Sequence, residues 1–220
     1  MDEYTRPDRE HAALLTIDTQ RDFTREAGAA TIPGTNEAAG TMQRVTRQFR
    51  EQGSPIVHVV RLYRPDGSNA DLCRRAGIED GDRVAIPGSD GAELVDEITP
   101  AGDVSLDTDR LLDGEFQRIG DDETVMYKPR WGAFYDTGLE ERLRAANIDT
   151  IVVCGCNFPN CPRTTIYEAS ERDFRVVVVT DALSGLYERG REELQDIGVH
   201  LMDADEFGEW FSARNTNSTY

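Results

Sequence analysis

Thr150-Ile151-Val152-Val153-Cys154-Gly155-Cys156-Asn157-Phe158-Pro159-Asn160-Cys161-Pro162 is the stretch whose reading decides the fold. Residues 150–154 form a short apolar, β-branched segment of the kind that makes a buried strand. After the turn, Pro162 opens a helix-forming stretch. Proline suits the first helical turn because the N–H it lacks would be unbonded there anyway. The turn puts Cys161 near the helix N-cap, where free N–H groups and the positive end of the dipole favour a thiolate. A thiol so placed is the cysteine counterpart of a nucleophile elbow.

The alternation of strand and helix extends in both directions. Residues 12–17 are a compact apolar run that predicts strand one, with Asp18 at its carboxyl end. Residues 19–33 read as a loop, 34–52 as a helix stopped by Gly53, and 56–61 as strand two. Residues 62–123 are irregular, and an insertion of that length suits a lid or an interface segment. Residues 124–127 form a short strand three that delivers Lys128, and 137–147 an amphipathic helix. Strand four is 150–154, and the helix after the turn runs to Asp173. Strand five, 175–180, ends at Asp181-Ala182; helices over 188–197 and 204–211 flank a sixth strand at 199–202. Residues 214–220 are a polar tail.

This pattern predicts one α/β domain over residues 1–220: three αβα layers around a doubly wound, parallel, six-stranded sheet of order 3-2-1-4-5-6. Strands one and four are then neighbours at the topological switch point, where ligands bind outside the carboxyl ends of the strands. Asp18 and the Cys161 turn, far apart in sequence, converge there.

Charge narrows the partners. The chain has 42 acidic and 24 basic residues, a formal net charge of −18, which disfavours nucleic acid and anionic membranes. No apolar run approaches membrane-spanning length, and the first ten residues are charged, so the expectation is a soluble, cytoplasmic protein. Lys128 is the only lysine among the basic residues. An acidic, lysine-poor surface fits adaptation to high salt, where short Debye lengths tame self-repulsion; a GC-rich genome gives the same arginine bias without the acidity.

Cys73, Cys154, Cys156 and Cys161 are too crowded for a disulfide framework, since three fall within eight residues. Their spacing matches no zinc knuckle, and His11, His58 and His200 are scattered, so no metal or other cofactor is expected. Cys154 and Cys156 point to one face of strand four, as buried free thiols commonly do. A free cysteine of pKa roughly 8.5 is only a few per cent thiolate at neutral pH, so it needs a base. Asp18 is the candidate base, and Lys128 a compact ammonium to anchor Asp18 or the substrate.

These pieces resemble the isochorismatase-like superfamily of cysteine hydrolases. The matching stretches are Leu14-Leu15-Thr16-Ile17-Asp18-Thr19-Gln20-Arg21-Asp22-Phe23, Lys128-Pro129-Arg130-Trp131-Gly132-Ala133-Phe134, the turn from Gly155 to Pro162, and Asp181-Ala182. The resemblance implies a catalytic triad of Asp18, Lys128 and Cys161, a thioester-type intermediate, and an oxyanion hole formed by the Asn157 and Cys161 N–H groups. It also implies a cis peptide at Cys156-Asn157 and a homodimer or homotetramer. The Cys161 nucleophile favours hydrolysis of a small non-peptide amide, ureide or N-carbamoyl compound over the vinyl-ether hydrolysis of isochorismatases proper. Nicotinamidases of the superfamily carry a histidine-rich metal site after strand two, whereas this chain reads Arg61-Leu62-Tyr63-Arg64 there.

Phe23, Trp131, Phe134, Phe158 and Asn160 are the candidate substrate contacts. Arg61, Tyr63 and Arg64 offer themselves either to an anionic group or to surface ion pairs. Two other classes compete. A phosphohydrolase would need a second acid two residues after Asp18, where Gln20 stands, and a non-catalytic binding or redox-sensing protein would use the cysteine cluster without hydrolysis.

Overall fold

The structure, a computed structural model, describes residues 2–213. The polar tail expected at 214–220 lies outside the described residues. The strands are β1 (Ala12–Ile17), β2 (Ile56–Val60), β3 (Gln117–Arg118), β4 (Glu123–Tyr127), β5 (Thr150–Gly155), β6 (Arg175–Leu183) and β7 (His200–Met202). The helices are α1 (Arg21–Thr24), α2 (Thr35–Gln52), α3 (Leu72–Glu79), α4 (Thr108–Leu112), α5 (Leu139–Ala145), α6 (Cys161–Ser170), α7 (Glu188–Asp196) and α8 (Ala204–Ser212).

One sheet runs in the order β3-β4-β2-β1-β5-β6-β7. Leaving out β3, this is the expected doubly wound order, with every pair parallel. The seventh strand is a correction: Gln117–Arg118 pairs antiparallel with β4 at the sheet edge. Two polar residues carry no hydrophobic period, so nothing in the sequence marks them as a strand. The irregular segment also holds α3 and α4, and the loop expected at 19–33 contains α1.

The central strands are apolar on both faces because helices cover both. Along β1, Ala12 and Leu14 face one layer while Ala13, Leu15 and Ile17 face the other. The first layer is closed by Met42, Val45 and Phe49 of α2 with Phe207 and Phe211 of α8. The second is closed by Leu139 and Leu143 of α5, Ile166 and Ala169 of α6, and Leu194 of α7. A smaller cluster joins Phe23, Tyr63, Ala70, Ile78, Val84, Ala85 and Cys156. That cluster docks the 62–123 segment beside the carboxyl ends of β1 and β5, which makes it one wall of the site below.

Candidate active site

β1 and β4 each end on a charged side chain. The Asp18 N–H donates to the Val59 carbonyl (2.9 Å) and the Lys128 N–H to the Val60 carbonyl (3.1 Å), so sheet hydrogen bonding fixes both backbones. Asp18 then leaves the strand with φ at 51°, in the left-handed region, a strain of order 1 kcal/mol that the surrounding bonds must hold. Its Oδ2 meets Lys128 Nζ at 3.1 Å, and the same Nζ reaches the Arg130 carbonyl at 3.4 Å. Lys128 is fully buried and Asp18 nearly so. Asp18 Oδ1 is also buried, and it has no hydrogen-bond partner among the described residues.

Cys161 begins α6, half-buried beside this pair. Burial and the Asp18 carboxylate push its thiol up to about 12, against the opposing pull of Lys128. The thiol is close enough to both charges for hydrogen bonding to contribute to this shift, yet it lacks the geometry of a formed bond to Oδ1. The expected resting thiolate is thus corrected. In a desolvated site next to a carboxylate, the helix N-terminus does not outweigh burial, and the thiol waits protonated.

The turn is shaped by Gly155, whose φ of 121° and close approach to β1 leave no room for a Cβ, which would overlap the Ile17 carbonyl oxygen. Cys156 N–H then donates to Ile17 O (2.8 Å), and Ser184 clamps the turn by accepting from Phe158 N–H (2.8 Å) while donating to Gly155 O (3.1 Å). The Cys156-Asn157 peptide is trans, as are all described peptides, which corrects the cis expectation; glycine supplies the sharp change of direction instead. The N–H groups of Asn157 and Cys161 donate to no acceptor among the described residues.

Past Lys128, Trp131-Gly132-Ala133-Phe134 is laced to α6. Ala133 N–H donates to Thr165 Oγ1 (3.1 Å) and Phe134 N–H to Glu168 Oε2 (3.0 Å). Gly132 lies so close to the Glu168 carboxylate that a Cβ would overlap it. This fixes the loop carrying Lys128 relative to the helix carrying Cys161.

A cleft of ≈ 250 Å³ opens over Asp18 and Cys161. Phe23, Trp131 and Asn160 line it as expected, together with Asp18, Asn157 and Cys161. Phe134 and Phe158 do not. Phe134 packs on Phe174 in the second core layer, and Phe158 is fully buried edge-on to Tyr187. Core packing claims both because each sits where a loop turns back onto α6 or α7. Arg61 and Tyr63, two of the three residues offered to an anionic group, also line it, and Ile32, Cys73, Arg74 and Cys156 complete the walls beyond the expected set.

Arg61 corrects the idea of a surface ion pair. It is 2% exposed and bonds Asp71 (2.6 Å), the Lys128 carbonyl (2.9 Å), the Arg130 carbonyl (3.1 Å) and the Tyr63 hydroxyl (3.3 Å). The apolar pattern of β2 continuing through Leu62 and Tyr63 was the available signal for a buried arginine. Arg64, by contrast, is exposed. The two strand-end thiols also separate: Cys154 lies in the first core layer, whereas Cys156 lines the cleft near Thr35 and Ser184, and burial pushes both up to about 12. Gly155 between them breaks the alternation that would have kept them together. Among the described residues, no three His, Cys, Asp or Glu side chains are grouped to hold a metal ion. After β2 the acid nearest the cleft, Asp71, is engaged by Arg61.

A protonated thiol at a helix start, a carboxylate with an unpartnered buried oxygen and a buried ammonium lie together, groups that chemically can supply a nucleophile, a proton acceptor and a counter-charge. Comparison with known proteins identifies the family. An Arabidopsis thaliana protein named "Probable inactive nicotinamidase" is 28% identical over 90% of this chain and 95% of its own length. The crystal structure of an isochorismatase family protein from Desulfovibrio vulgaris superposes with a TM-score of 0.78 at 29% identity, covering 92% of this chain and 99% of that one. N-carbamoylsarcosine amidase from Thermoplasma acidophilum superposes with a TM-score of 0.68 at 27% identity, covering 89% and 97%. Residues 12–206 match the isochorismatase domain itself, and the chain therefore belongs to the isochorismatase family of hydrolases.

Proposed function

We propose that this chain is a cysteine-dependent hydrolase of a small non-peptide amide, ureide or N-carbamoyl compound, working through a thioester intermediate. The observation that carries the reading is Asp18 Oδ1, a buried acceptor left without a partner beside a protonated Cys161 thiol. Native proteins rarely leave such an atom unbonded unless it has other work. In this mechanism Oδ1 takes the thiol proton as Cys161 Sγ attacks the substrate carbonyl carbon. Lys128, held on Oδ2, keeps Asp18 oriented and offsets the negative charge as it moves to sulfur. The N–H groups of Asn157 and Cys161 receive the oxyanion. The proton on Asp18 passes to the departing nitrogen as the C–N bond breaks. Water, deprotonated by Asp18, then cleaves the thioester and the thiol reforms.

The amidase from Thermoplasma acidophilum, alike over nearly the whole chain, supports a C–N bond as the target. The small cleft suits a compact substrate rather than a peptide. Cys161→Ala is expected to abolish turnover of every compound in a panel of carboxamides, ureides and N-carbamoyl amino acids, with the fold intact. Hydrolysis surviving in that variant would remove the mechanism. A wild-type protein inert toward the whole panel would leave the non-catalytic reading standing.

A further inference from the structure

The cleft holds one charge that the mechanism does not use. Asp18 and Lys128 neutralise each other at 3.1 Å, and Arg61 is neutralised by Asp71 at 2.6 Å. With Arg61 bonded also to two carbonyls and the Tyr63 hydroxyl, most of its N–H donors are spent on the protein. Tyr63 stays neutral, since burial pushes its hydroxyl up to about 12. Asp18 is the sole carboxylate among the residues lining the cleft. What remains is Arg74, on α3.

Arg74 is half-buried, and its backbone N–H is tied to the Asp71 carbonyl (3.0 Å). Among the described residues its guanidinium makes no ion pair and no hydrogen bond. In a chain of net charge −18, carboxylates are the commonest side-chain partners at hand, and Arg163 and Arg172 each take one. A cleft with a net positive bias inside an acidic shell focuses potential on small anions. We propose that Arg74 anchors an anionic group on the substrate, so that the enzyme takes small amides or N-carbamoyl compounds that carry a carboxylate. This rests on the hydrolase reading above. Cys161 at the start of α6, the aromatic side chains of Phe23 and Trp131, and Arg74 of α3 all line this one cleft. A carboxylate fits better than a phosphate, because one unpaired guanidinium balances one charge and presents a planar fork that matches two oxygens.

The test uses N-carbamoylglycine and N-carbamoyl-β-alanine beside the uncharged methyl ester of each. Wild-type kcat/KM is expected to favour the acids over the esters by roughly 10- to 100-fold. Arg74→Ala should lose that margin on the acids, mainly through KM, so that acids and esters converge; Arg74→Lys should recover part of it. A loss shared equally by acids and esters, or a wild type that does not distinguish them, overturns the assignment. Calorimetric binding to Cys161→Ala separates the two readings because it needs no turnover. Acids that bind more tightly than esters, with the difference removed by adding Arg74→Ala, support Arg74 even if nothing in the panel is hydrolysed. Equal binding of both classes, or binding of neither, counts against Arg74 even if hydrolysis is seen.

Discussion

Two buried carboxylate clusters share the β1-β2-β4 part of the sheet, and they are built to opposite ends. Toward the amino end of β4, Glu123 Oε1 meets His58 Nε2 and an Arg50 N–H at 2.6 Å each, and Oε2 takes the Arg50 Nε–H at 2.9 Å. His58 Nδ1 lies 2.8 Å from Thr16 Oγ1. Burial lowers the His58 pKa, so the ring is neutral, donating from Nε2 and accepting the threonine proton at Nδ1. Both carboxylate oxygens of Glu123 and both ring nitrogens are satisfied. At the carboxyl ends of β1 and β4, Asp18 and Lys128 are as deeply buried, but Oδ1 is left over. A buried ion pair is therefore no mark of chemistry by itself. The unspent acceptor beside a nucleophile is.

The largest expected effects come from breaking each cluster in turn. Asp18→Asn should cut kcat/KM by about 10²- to 10⁴-fold, the usual worth of a general base, while the amide still occupies the site. Glu123→Gln should do the reverse. It leaves Arg50 and His58 short of their acceptor and should destabilise the fold by about 3 kcal/mol, the low end for a broken buried pair because Arg50 still reaches water. Its kcat per folded molecule should hold. Urea melts and steady-state kinetics on both variants check this, and a crossed result would dissolve the distinction. The pH dependence sharpens it. Glu123 titrates at about 2 when folded against 4.5 ordinarily, so its stabilisation is present above pH 4.5 and is lost as pH falls toward 2. His58 is also depressed, so its share begins to fall once pH drops below 6.5. Glu123→Gln should flatten the acid limb of the stability curve.

A smaller effect tests how the active cluster is held. The amino-end cluster is fixed through side chains on sheet and helix, whereas Lys128 depends on a loop laced to α6. Gly132→Ala would drive a methyl into the Glu168 carboxylate, which must swing off the Phe134 N–H or push the loop away, loosening the lacing at a cost of up to about 1–3 kcal/mol. Activity should fall further than stability, because the shift moves Lys128 relative to Cys161. Adding Glu168→Ala removes the obstruction but also the acceptor of the Phe134 N–H, so it should rescue activity only in part. An active, unaltered Gly132→Ala enzyme would mean that the loop is not what sets the triad.

The sheet was legible because β1, β5 and β6 are continuous apolar runs separated by helical stretches, and the switch point then brought Asp18 to Cys161 without any contact information. Lys128 stood out through composition, as the only lysine of the chain. What sequence could not supply was which aromatic faces which side. Phe23 and Phe134 each neighbour a triad residue, yet one lines the cleft and the other packs on Phe174. That choice depends on where a loop folds back, which no local period encodes. The α3 wall was hidden for a similar reason: Arg74 reaches the cleft only through the long-range docking of 62–123 on Phe23 and Cys156. The thiol state was misjudged because the helix start is visible in sequence and the burial that opposes it is not.

The smallest expected effect probes that thiol directly. Asp18 and Lys128 pull the Cys161 pKa in opposite directions, with burial setting the level near 12. Removing the Asp18 charge takes away a contribution that raises the pKa, so Asp18→Asn should lower the thiol titration. The variant would thus form more thiolate at a given pH and yet turn over far less substrate. That combination separates a base that delivers the proton where it is needed from a counter-charge that merely tunes the resting acid. Thiolate absorbance followed against pH, taken as the difference between each protein and its Cys161→Ala counterpart so that Cys73, Cys154 and Cys156 cancel, gives the measurement. If the midpoint rises in Asp18→Asn, Oδ1 was stabilising the thiolate rather than waiting for its proton. The contrast with the saturated Glu123 cluster would then lose its chemical meaning.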